Sequence, residues 1–313
     1  MIPEKDTKVN RILEIYTKLI KGEVVNVSEK TIQRDLDDIR AYFYDYRENH
    51  GDNDIIYRRD IKGYCLDNNG DVLTRKDVLA IMKILLESRA FCKDELNHLT
   101  NTLLKQIDYE QRKNIKNITS NELLNYVSPQ HNELLLTMIW DISELIKEKE
   151  ITEITYIKTD GAEVKRTIKP VAIIFSEYYF YLIAYYNDFN SPTVFRVDRI
   201  KTYKKKGNKF HIPESERFED GEFRKRVQFM YPGKLMKIKF EFTGPSIEAV
   251  LDRLPTAKII ESSEGKYVVE AEVYGKGIIM WILSQGKGIK VISPASFCKE
   301  VLKEIEQMKK LYE

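Results

Sequence analysis

Apolar residues recur with a helical period in two segments near the start of the chain. In residues 8–21 they fall on one face, which predicts an amphipathic helix that ends at Gly22. Residues 28–43 repeat the period, with Ser28 as the N-cap. The predicted buried stripe of this second helix is Ile32, Leu36, Ile39 and Phe43. Residues 55–66 then read as two short β-rich pieces around a turn, which predicts a hairpin.

The hydrophobic period changes again further along the chain. Residues 75–149 are mostly helical, and from Ile151 the period becomes two, with enough short strands to predict a small, strongly curved sheet or barrel. Residues 213–233 are polar and indicate a connector. Residues 234–313 alternate strands and helices in the order of a split βαβ unit, which predicts a ferredoxin-like α+β domain with an added helix.

These elements predict an α+β multidomain protein, and the length of 313 residues is ample for several cores. The first segment has the order helix, helix and two-stranded wing that is typical of a winged helix-turn-helix. The predicted domains are 1–72 for the winged helix-turn-helix, 73–149 for a helical linker or dimerisation region, 150–212 for the β-barrel, 213–233 for the connector and 234–313 for the ferredoxin-like domain.

Composition narrows the classes of function. The formal net charge is +2, which excludes an evenly basic surface, so any nucleic-acid surface must be local. The three cysteines, Cys65, Cys92 and Cys298, form no CxxC, which favours a reduced, cytoplasmic compartment. No apolar run approaches the roughly 18–20 residues of a membrane span, so we expect no membrane partner.

No catalytic pattern stands out. The four histidines are scattered without the spacing of metal ligands. The chain lacks the GxSxG, Walker A and Rossmann glycine motifs. We therefore predict that the protein is not an enzyme and uses no metal or cofactor.

The first module offers a group of polar side chains to duplex DNA. A helix N-terminus with small polar residues can approach the major groove, and a wing can straddle the neighbouring backbone. The predicted DNA-binding residues are Ser28, Lys30, Thr31, Gln33, Arg34, Arg58 and Arg59. Residues 1–66 hold 12 Lys+Arg against 13 Asp+Glu, so net charge gives no independent support. A helical dimerisation module remains the alternative.

Positive charge is concentrated in the strand-rich segment instead. Residues 162–210 contain ten basic and four acidic residues, a local net charge of +6. Guanidinium groups bind phosphate in a bidentate manner, and tyrosines offer a ring face as well as a hydroxyl. This mixture suits an anionic ligand with a stackable ring, such as a nucleotide or a nucleic-acid single strand.

Three motifs carry a resemblance to one family. YYFYLIAYY followed by TVFRVDRI resembles the signature of WYL domains, with Phe180, Tyr181 and Leu182 at the naming triplet. VSEKTIQRDLDDIRAYF resembles the recognition helix of bacterial winged-helix regulators that carry such a domain, although their positioning helix is here shortened to GEVVNV. WILSQGKGIKVISP resembles the C-terminal extension that accompanies WYL domains in these regulators.

The resemblance implies an Sm-like barrel that senses an anionic ligand and thereby modulates operator binding by the winged helix-turn-helix. Carried over by position, the ligand contacts are Arg166, Tyr181, Arg196 and Arg199. Each arginine could instead be a salt-bridged surface residue, and Tyr181 a core tyrosine. A regulator of this kind is expected to bind a two-fold operator as a homodimer. The alternative is a nucleic-acid-binding adaptor, attached to a defence system, that reads no operator.

Overall fold

The structure is a computed structural model that describes residues 8–20, 23–25, 30–46, 54–59, 62–67, 73–107, 109–186, 192–214 and 217–313. The chain divides into two compact units, residues 1–87 with 96–126 and residues 88–95 with 127–313. No helix in these described ranges is long and apolar enough to cross a membrane.

The first unit opens with two amphipathic helices and a hairpin. Helix α1 spans Lys8–Ile20 and α2 spans Lys30–Asp45, while β1 (Asp54–Arg58) pairs antiparallel with β2 (Gly63–Asp67). Three residues of the predicted α2 stripe, Leu36, Ile39 and Phe43, are buried, and Ile32 packs at the edge of their cluster. Val25 forms a bridge with Tyr64, so the segment between the helices joins the hairpin.

Three further helices follow in the chain. They are α3 (Arg75–Ser88), α4 (Lys93–Leu104) and α5 (Tyr109–Leu124). Thr74 and Asp77 begin α3 as a reciprocal cap, because the Asp77 carboxylate accepts the Thr74 N–H at 2.9 Å while the Thr74 hydroxyl accepts the Asp77 N–H. Their apolar cluster includes Val78, Met82, Leu104, Ile107 and Ile115.

The second unit contains a five-stranded antiparallel sheet preceded by a helix. The helix α6 spans Leu136–Glu148. The strands are β3 (Glu150–Ile157), β4 (Glu163–Ser176), β5 (Tyr179–Tyr185), β6 (Thr193–Arg196) and β7 (Ile200–Lys209), in the order β6-β5-β4-β3-β7. A short 3-10 turn, Val197–Arg199, joins β6 to β7.

Strand β4 curves the sheet. Its first half, from Glu163 to Ile168, pairs with β3, and its second half, from Lys169 to Ser176, pairs with β5. The register slips between Pro170 and Ala172, and such irregularities bend a strand. One face of the curved sheet encloses a core with α6. The residues of this core include Leu135, Ile142, Ile154, Ile168, Leu182 and Phe195.

The opposite face of β4 and β5 is covered by the connector, whose helix α7 spans Asp220–Arg226. Phe223, Val227 and Met230 of the connector pack against Ile174 and Ile183 of the sheet. The connector therefore forms part of the environment of any residue on this face.

The C-terminal region is a second sheet with helices. Its elements are β8 (Leu235–Phe242), α8 (Ile247–Arg253), β9 (Lys258–Ser263), β10 (Lys266–Tyr274), α9 (Gly277–Ser284), β11 (Ile289–Ser293) and α10 (Ala295–Lys310). All neighbours in the strand order β11-β8-β10-β9 are antiparallel. Phe240, Trp281 and Phe297 lie in the core. Gly277 must lack a Cβ, because that atom would lie 1.9 Å from the Gln228 carbonyl oxygen of the connector.

Candidate ligand and nucleic-acid sites

Two of the four predicted ligand residues lie side by side. Tyr181 of β5 is directly opposite Arg196 of β6, and opposite residues of an antiparallel pair project from the same face. Tyr179, two residues before Tyr181, shares that face because side chains alternate along a strand. The Arg196 guanidinium carbon lies 3.4 Å from the centre of the Tyr179 ring, a cation–π contact. Sequence reasoning did not single out Tyr179, although the alternation in YYFYL could have done so.

Arg196 already has a carboxylate partner. Its Nε and Nη2 donate to the two oxygens of Asp198 at 3.0 and 2.7 Å, which is the bidentate geometry of a strong pair. The Asp198 side chain is 3% exposed and that of Arg196 is 21% exposed. Burial alone would lower the pKa of Arg196, but the hydrogen bonds to Asp198 raise it above the ordinary value. The guanidinium is therefore charged and held in one orientation.

His131 reaches the same place from the segment before α6. Its ring centre lies 6.2 Å from that of Tyr179. Its Nδ1 accepts the Glu133 N–H at 2.9 Å, while its buried Nε2 has no hydrogen-bond partner among the described residues. Burial lowers the pKa of His131, although the charge of Asp198 opposes this effect. Sequence reasoning missed His131, since no spacing links it to the β5–β6 strands.

Glu95, near the start of α4, is another buried polar group and lies at the N-terminus of α6. It is 6% exposed, and its Oε1 accepts the N–H of Leu136 at 2.7 Å. This bond satisfies one of the free donors at the N-terminus of α6. Its Oε2 is buried and has no partner among the described residues. The charge of Glu95 also acts on His131.

The other two predicted ligand residues have different neighbours. Arg199 donates from Nη1 to the Thr159 hydroxyl in the β3–β4 turn at 3.0 Å. Arg166 lies opposite Ile154 on the half of β4 that pairs with β3, whereas Tyr181 pairs with the other half of β4, at Ile174. Arg166 donates to the carbonyl of its neighbour Lys165 at 3.1 Å. The strand register thus unites Tyr181 with Arg196 but not with Arg166.

Half of the local charge of +6 is compensated by three acids outside the counted window. Lys201 pairs with Glu133 at 2.9 Å, Lys205 with Glu148 at 2.6 Å and Lys206 with Glu153 at 2.8 Å. These acids come from α6, from the segment before it and from β3. Lys201, Lys205 and Lys206 all belong to strand β7.

Residues that pack with Tyr181 line a cavity formed by the sheet, the connector and the end of α8. The Tyr181 side chain packs with Ile174 and Met230, and burial raises its pKa. Both of these residues line this cavity of about 300 Å³, whose wall includes Arg224 and Arg253. Arg253 pairs with Glu177 at 3.2 Å. A concave surface with two arginines and Asp252 therefore lies next to residues that pack with Tyr181, but Tyr181 itself is not part of its wall.

The predicted DNA-binding residues of α2 are exposed. They are Lys30, Thr31, Gln33 and Arg34. Ser28 lies outside the described residues. On the hairpin, Arg58 and Arg59 are exposed as well.

Three of the four acids of α2 are paired with basic residues. The buried Asp35 binds Arg11 of α1, Asp38 pairs with Lys8 at 2.7 Å, and Asp37 pairs with Arg40 at 2.8 Å. In the described part of the chain, Lys30 and Arg34 form no ion pair. The start of α2 is thus locally basic, although the net charge of residues 1–66 is −1.

Within the described ranges, no group of three or more His, Cys, Asp or Glu side chains has the arrangement of a metal site.

Comparisons with known families identify two of the regions. The WYL domain family matches residues 138–205, which include α6 and the sheet that carries Tyr181 and Arg196. The WCX domain family matches residues 234–309. The chain contains a WYL domain followed by a WCX domain. No curated protein matches the chain significantly.

Two solved structures resemble the whole chain weakly. One is proteasome accessory factor B/C (PafBC) of Arthrobacter aurescens, with 14% identity, a TM-score of 0.29 and coverage of 96% of this chain. This chain spans 44% of the PafBC chain. The other is a CRISPR Cas-related protein, with 14% identity, a TM-score of 0.37, and coverage of 99% of this chain and 93% of that one. At these TM-scores, neither likeness carries an argument about function.

Proposed function

We propose that this protein is a ligand-responsive transcription regulator. Its first unit binds duplex DNA, and its WYL domain binds an anionic ligand, either a nucleotide or a nucleic-acid single strand. Such a ligand changes operator affinity only as far as it binds the DNA-competent and DNA-incompetent states differently. We further propose that the protein acts in the cytoplasm as a homodimer and has no enzymatic activity of its own.

The main support for ligand binding by the WYL domain is the arrangement of Arg196 among Tyr179, Tyr181 and Asp198. A guanidinium held by a buried carboxylate and stacked on a ring is oriented before any ligand arrives. A neighbouring tyrosine offers a second ring and a hydroxyl on the same face. This combination recognises a phosphate next to a base better than it recognises a simple anion.

The strand orders support a finer interpretation of the fold. In chain order, the strands of the WYL sheet run 4-3-2-1-5, which together with the bend of β4 fits an Sm-like barrel. Those of the WCX sheet run 4-1-3-2, which fits a ferredoxin-like unit. The two helices, the Val25 bridge and the hairpin fit a winged helix-turn-helix.

DNA binding by the first unit is supported by the exposed start of α2, where Lys30 and Arg34 form no ion pair with any described residue. Lys30 and Arg34 can reach phosphates, and Thr31 and Gln33 can reach phosphates or base edges. The hairpin carries Arg58 and Arg59 as candidate contacts to the adjacent backbone.

Two variants test DNA binding and ligand binding separately. In a gel-shift assay with the DNA upstream of its own gene, Arg34→Ala is expected to weaken duplex retention. The double variant Arg196→Gln with Asp198→Asn removes both charges while keeping similar shapes, so it is expected to retain duplex binding. The same double variant should lose binding of a ten-nucleotide oligothymidylate. Absence of specific duplex retention by the unmodified protein at low salt would refute the regulator, and unchanged oligothymidylate binding by the double variant would refute the ligand site.

A second candidate function is a nucleic-acid-binding adaptor that reads no operator. The segment between Ile20 and Lys30 has only nine residues, which is short for a positioning helix, and this shortness favours the adaptor. Equal affinity for random and upstream duplexes, together with a preference for single strands, would support the adaptor over the regulator.

A further inference from the structure

One buried donor beside the ligand site has no acceptor in the described part of the chain. Because His131 Nδ1 accepts the Glu133 N–H, the proton of the neutral imidazole is on Nε2. Nε2 is buried and makes no hydrogen bond to any described residue. Buried polar groups without partners are rare and unfavourable, so this one needs an explanation.

The charged groups around His131 come from several elements. Asp198, in the turn after β6, exerts the largest charge effect on it, followed by Arg196 of β6. Glu133 in the same segment and Glu95 of α4 act more weakly. Tyr179 of β5 is the neighbouring ring. Asp198 is linked to this group by contacts, because it binds the Arg196 guanidinium that stacks on Tyr179, the ring next to His131. Both of its oxygens are bound to Arg196.

We propose that Asp198 exchanges partners when the ligand binds: the anionic group of the ligand takes the Arg196 guanidinium, and Asp198 then accepts the hydrogen bond of His131 Nε2. This inference rests on the proposed function, because it needs an anionic ligand at Arg196. His131 is a positioning residue in this scheme, since it holds Asp198 in the occupied site.

The geometry favours exchange over simple addition of a ligand. Asp198 occupies Nε and Nη2 of Arg196, which form an edge that matches a phosphate in a bidentate manner. A phosphate that uses this edge must displace the carboxylate. Asp198 is too buried to turn to water, so it needs another donor within the protein. The unused proton of His131 supplies that donor.

The exchange couples ligand binding to a proton. In the free protein, burial and the nearby guanidinium both keep the pKa of His131 low. In the occupied site, the ligand compensates the guanidinium and Asp198 bonds to Nε2, so the pKa of His131 rises. The proton taken up goes to Nδ1, which then no longer accepts the Glu133 N–H. A group whose pKa rises on binding takes up a proton, and the affinity for the ligand then increases as the pH falls.

The segment that contains His131 links the same exchange to helix α6. His131 lies in the segment that leads into Leu136, the first residue of the helix, and Glu95 holds the Leu136 N–H. A shift of His131 toward Asp198 would move this segment against a buried cap. Ligand binding is therefore expected to move the start of α6 before any other element outside the sheet.

Calorimetry of the full chain with oligothymidylate tests the exchange. A ten-nucleotide strand with hydroxyl ends is the probe, because its phosphodiesters stay ionised between about pH 6 and pH 8. Titration in two buffers of different ionisation enthalpy measures proton uptake directly. The variants are His131→Phe, which keeps a ring without a donor, and His131→Gln, which keeps a donor that does not titrate. His211→Gln, at an exposed position, is the matched control.

We expect the unmodified protein and the His211→Gln control to take up a fraction of a proton and to bind more tightly at pH 6 than at pH 8. His131→Phe should bind oligothymidylate about tenfold more weakly, because it loses a hydrogen bond to a charged group. His131→Gln should bind within about threefold of the unmodified protein but without proton uptake.

Two other results would overturn the exchange. If His131→Phe lowers only the thermal stability, and proton uptake and affinity are unchanged, His131 is merely structural and the proposed ligand site survives. If the Arg196→Gln, Asp198→Asn double variant binds the probe as well as the unmodified protein does, the ligand site itself is wrong and the exchange fails with it.

Discussion

Arg34 on α2 and Arg196 on β6 are both expected to bind phosphate, yet their surroundings differ in every respect. Arg34 is exposed and has no ion pair among the described residues. Arg196 is mostly buried, is stacked on Tyr179 and is bound at two points by Asp198. An exposed cation binds any phosphate that comes near, and its contribution falls with added salt. A buried, paired guanidinium accepts only an anion that can compete with its carboxylate.

This contrast assigns different tasks to the two arginines. The α2 face gains affinity from the number of its cations, so each one contributes modestly. The WYL site depends on one pair, so either partner is critical for folding as well as for binding. The predictions below test whether the two regions differ as much as their geometry indicates.

The largest expected effect is that of Asp198→Ala on stability. Removal of the carboxylate leaves Arg196 mostly buried without a counter-ion, and breaking such a pair costs about 3 kcal/mol. Urea denaturation should show a free energy of unfolding lower by that amount. Glu133→Ala is the matched control, because Glu133 and its partner Lys201 are both about half exposed and such pairs contribute about 0–1 kcal/mol. Equal losses in the two variants would mean that the Arg196 pair is no different from a surface pair.

The next effect concerns duplex binding by the exposed arginine. Arg34→Ala is expected to weaken duplex affinity about tenfold at low salt and to reduce the slope of log affinity against log salt by about 1, as for the loss of one phosphate contact. The slope is measured from gel shifts or anisotropy between low and moderate salt concentrations. Lys18→Ala is the control on the same unit, since Lys18 pairs with Glu14 on α1. An unchanged slope for Arg34→Ala would remove α2 from the DNA interface.

Much of the fold could be predicted because it follows from local periodicity. The buried stripe of α2 and the hairpin around residues 58–63 are visible in the order of apolar and polar residues. The cross-strand neighbours Tyr181 and Arg196 follow from two strands joined by a short connection. Asp198 follows Arg196 by two residues in the 3-10 turn after β6, and this close acid–base spacing was a sequence signal of their pairing that charge counting overlooked.

The remainder of the site could not be predicted because it depends on contacts far apart in sequence. His131 and Glu95 come from helical regions whose packing against the sheet leaves no trace in spacing. The partners of Lys205 and Lys206 depend on the docking of α6 and on the register of β3 with β7. Net charge over a window of sequence therefore overstated how much positive charge is available to a ligand.

A smaller effect is the dependence of the free energy of unfolding on pH that His131 causes. The pKa of His131 is lowered in the folded protein from an ordinary value of 6.5. Below that value the unfolded chain binds a proton that the folded chain does not, so stability is complete above about pH 6.5 and declines as the pH falls further. Between pH 7.5 and pH 5.5, His131→Gln should reduce this decline by up to about 1 kcal/mol.

Urea denaturation at several pH values measures that decline. His211→Gln, which changes an exposed histidine, should leave the pH dependence as it is in the unmodified protein. A steeper decline in His131→Gln than in the unmodified protein would contradict the burial of a neutral His131.

The smallest effect is expected at Lys206, in the basic strand β7. Lys206 pairs with Glu153 at 2.8 Å, but both side chains are partly exposed, so Lys206→Ala should change the free energy of unfolding by less than about 0.5 kcal/mol. The hydrogen bond to Lys206 lowers the pKa of Glu153. Any stabilisation is therefore present above the unfolded pKa of Glu153 and lost as the pH falls through its lowered folded value.

The affinity of Lys206→Ala for oligothymidylate tests whether the ligand binds at Arg196 or along β7. If ligand recognition resides in Arg196 and the rings beside it, the variant binds as the unmodified protein does, apart from a slight change in salt dependence. A loss of binding comparable to that of the Arg196→Gln, Asp198→Asn double variant would place the ligand along β7. In that case the summed charge of the strand, rather than one oriented guanidinium, would be what the WYL domain presents to its ligand.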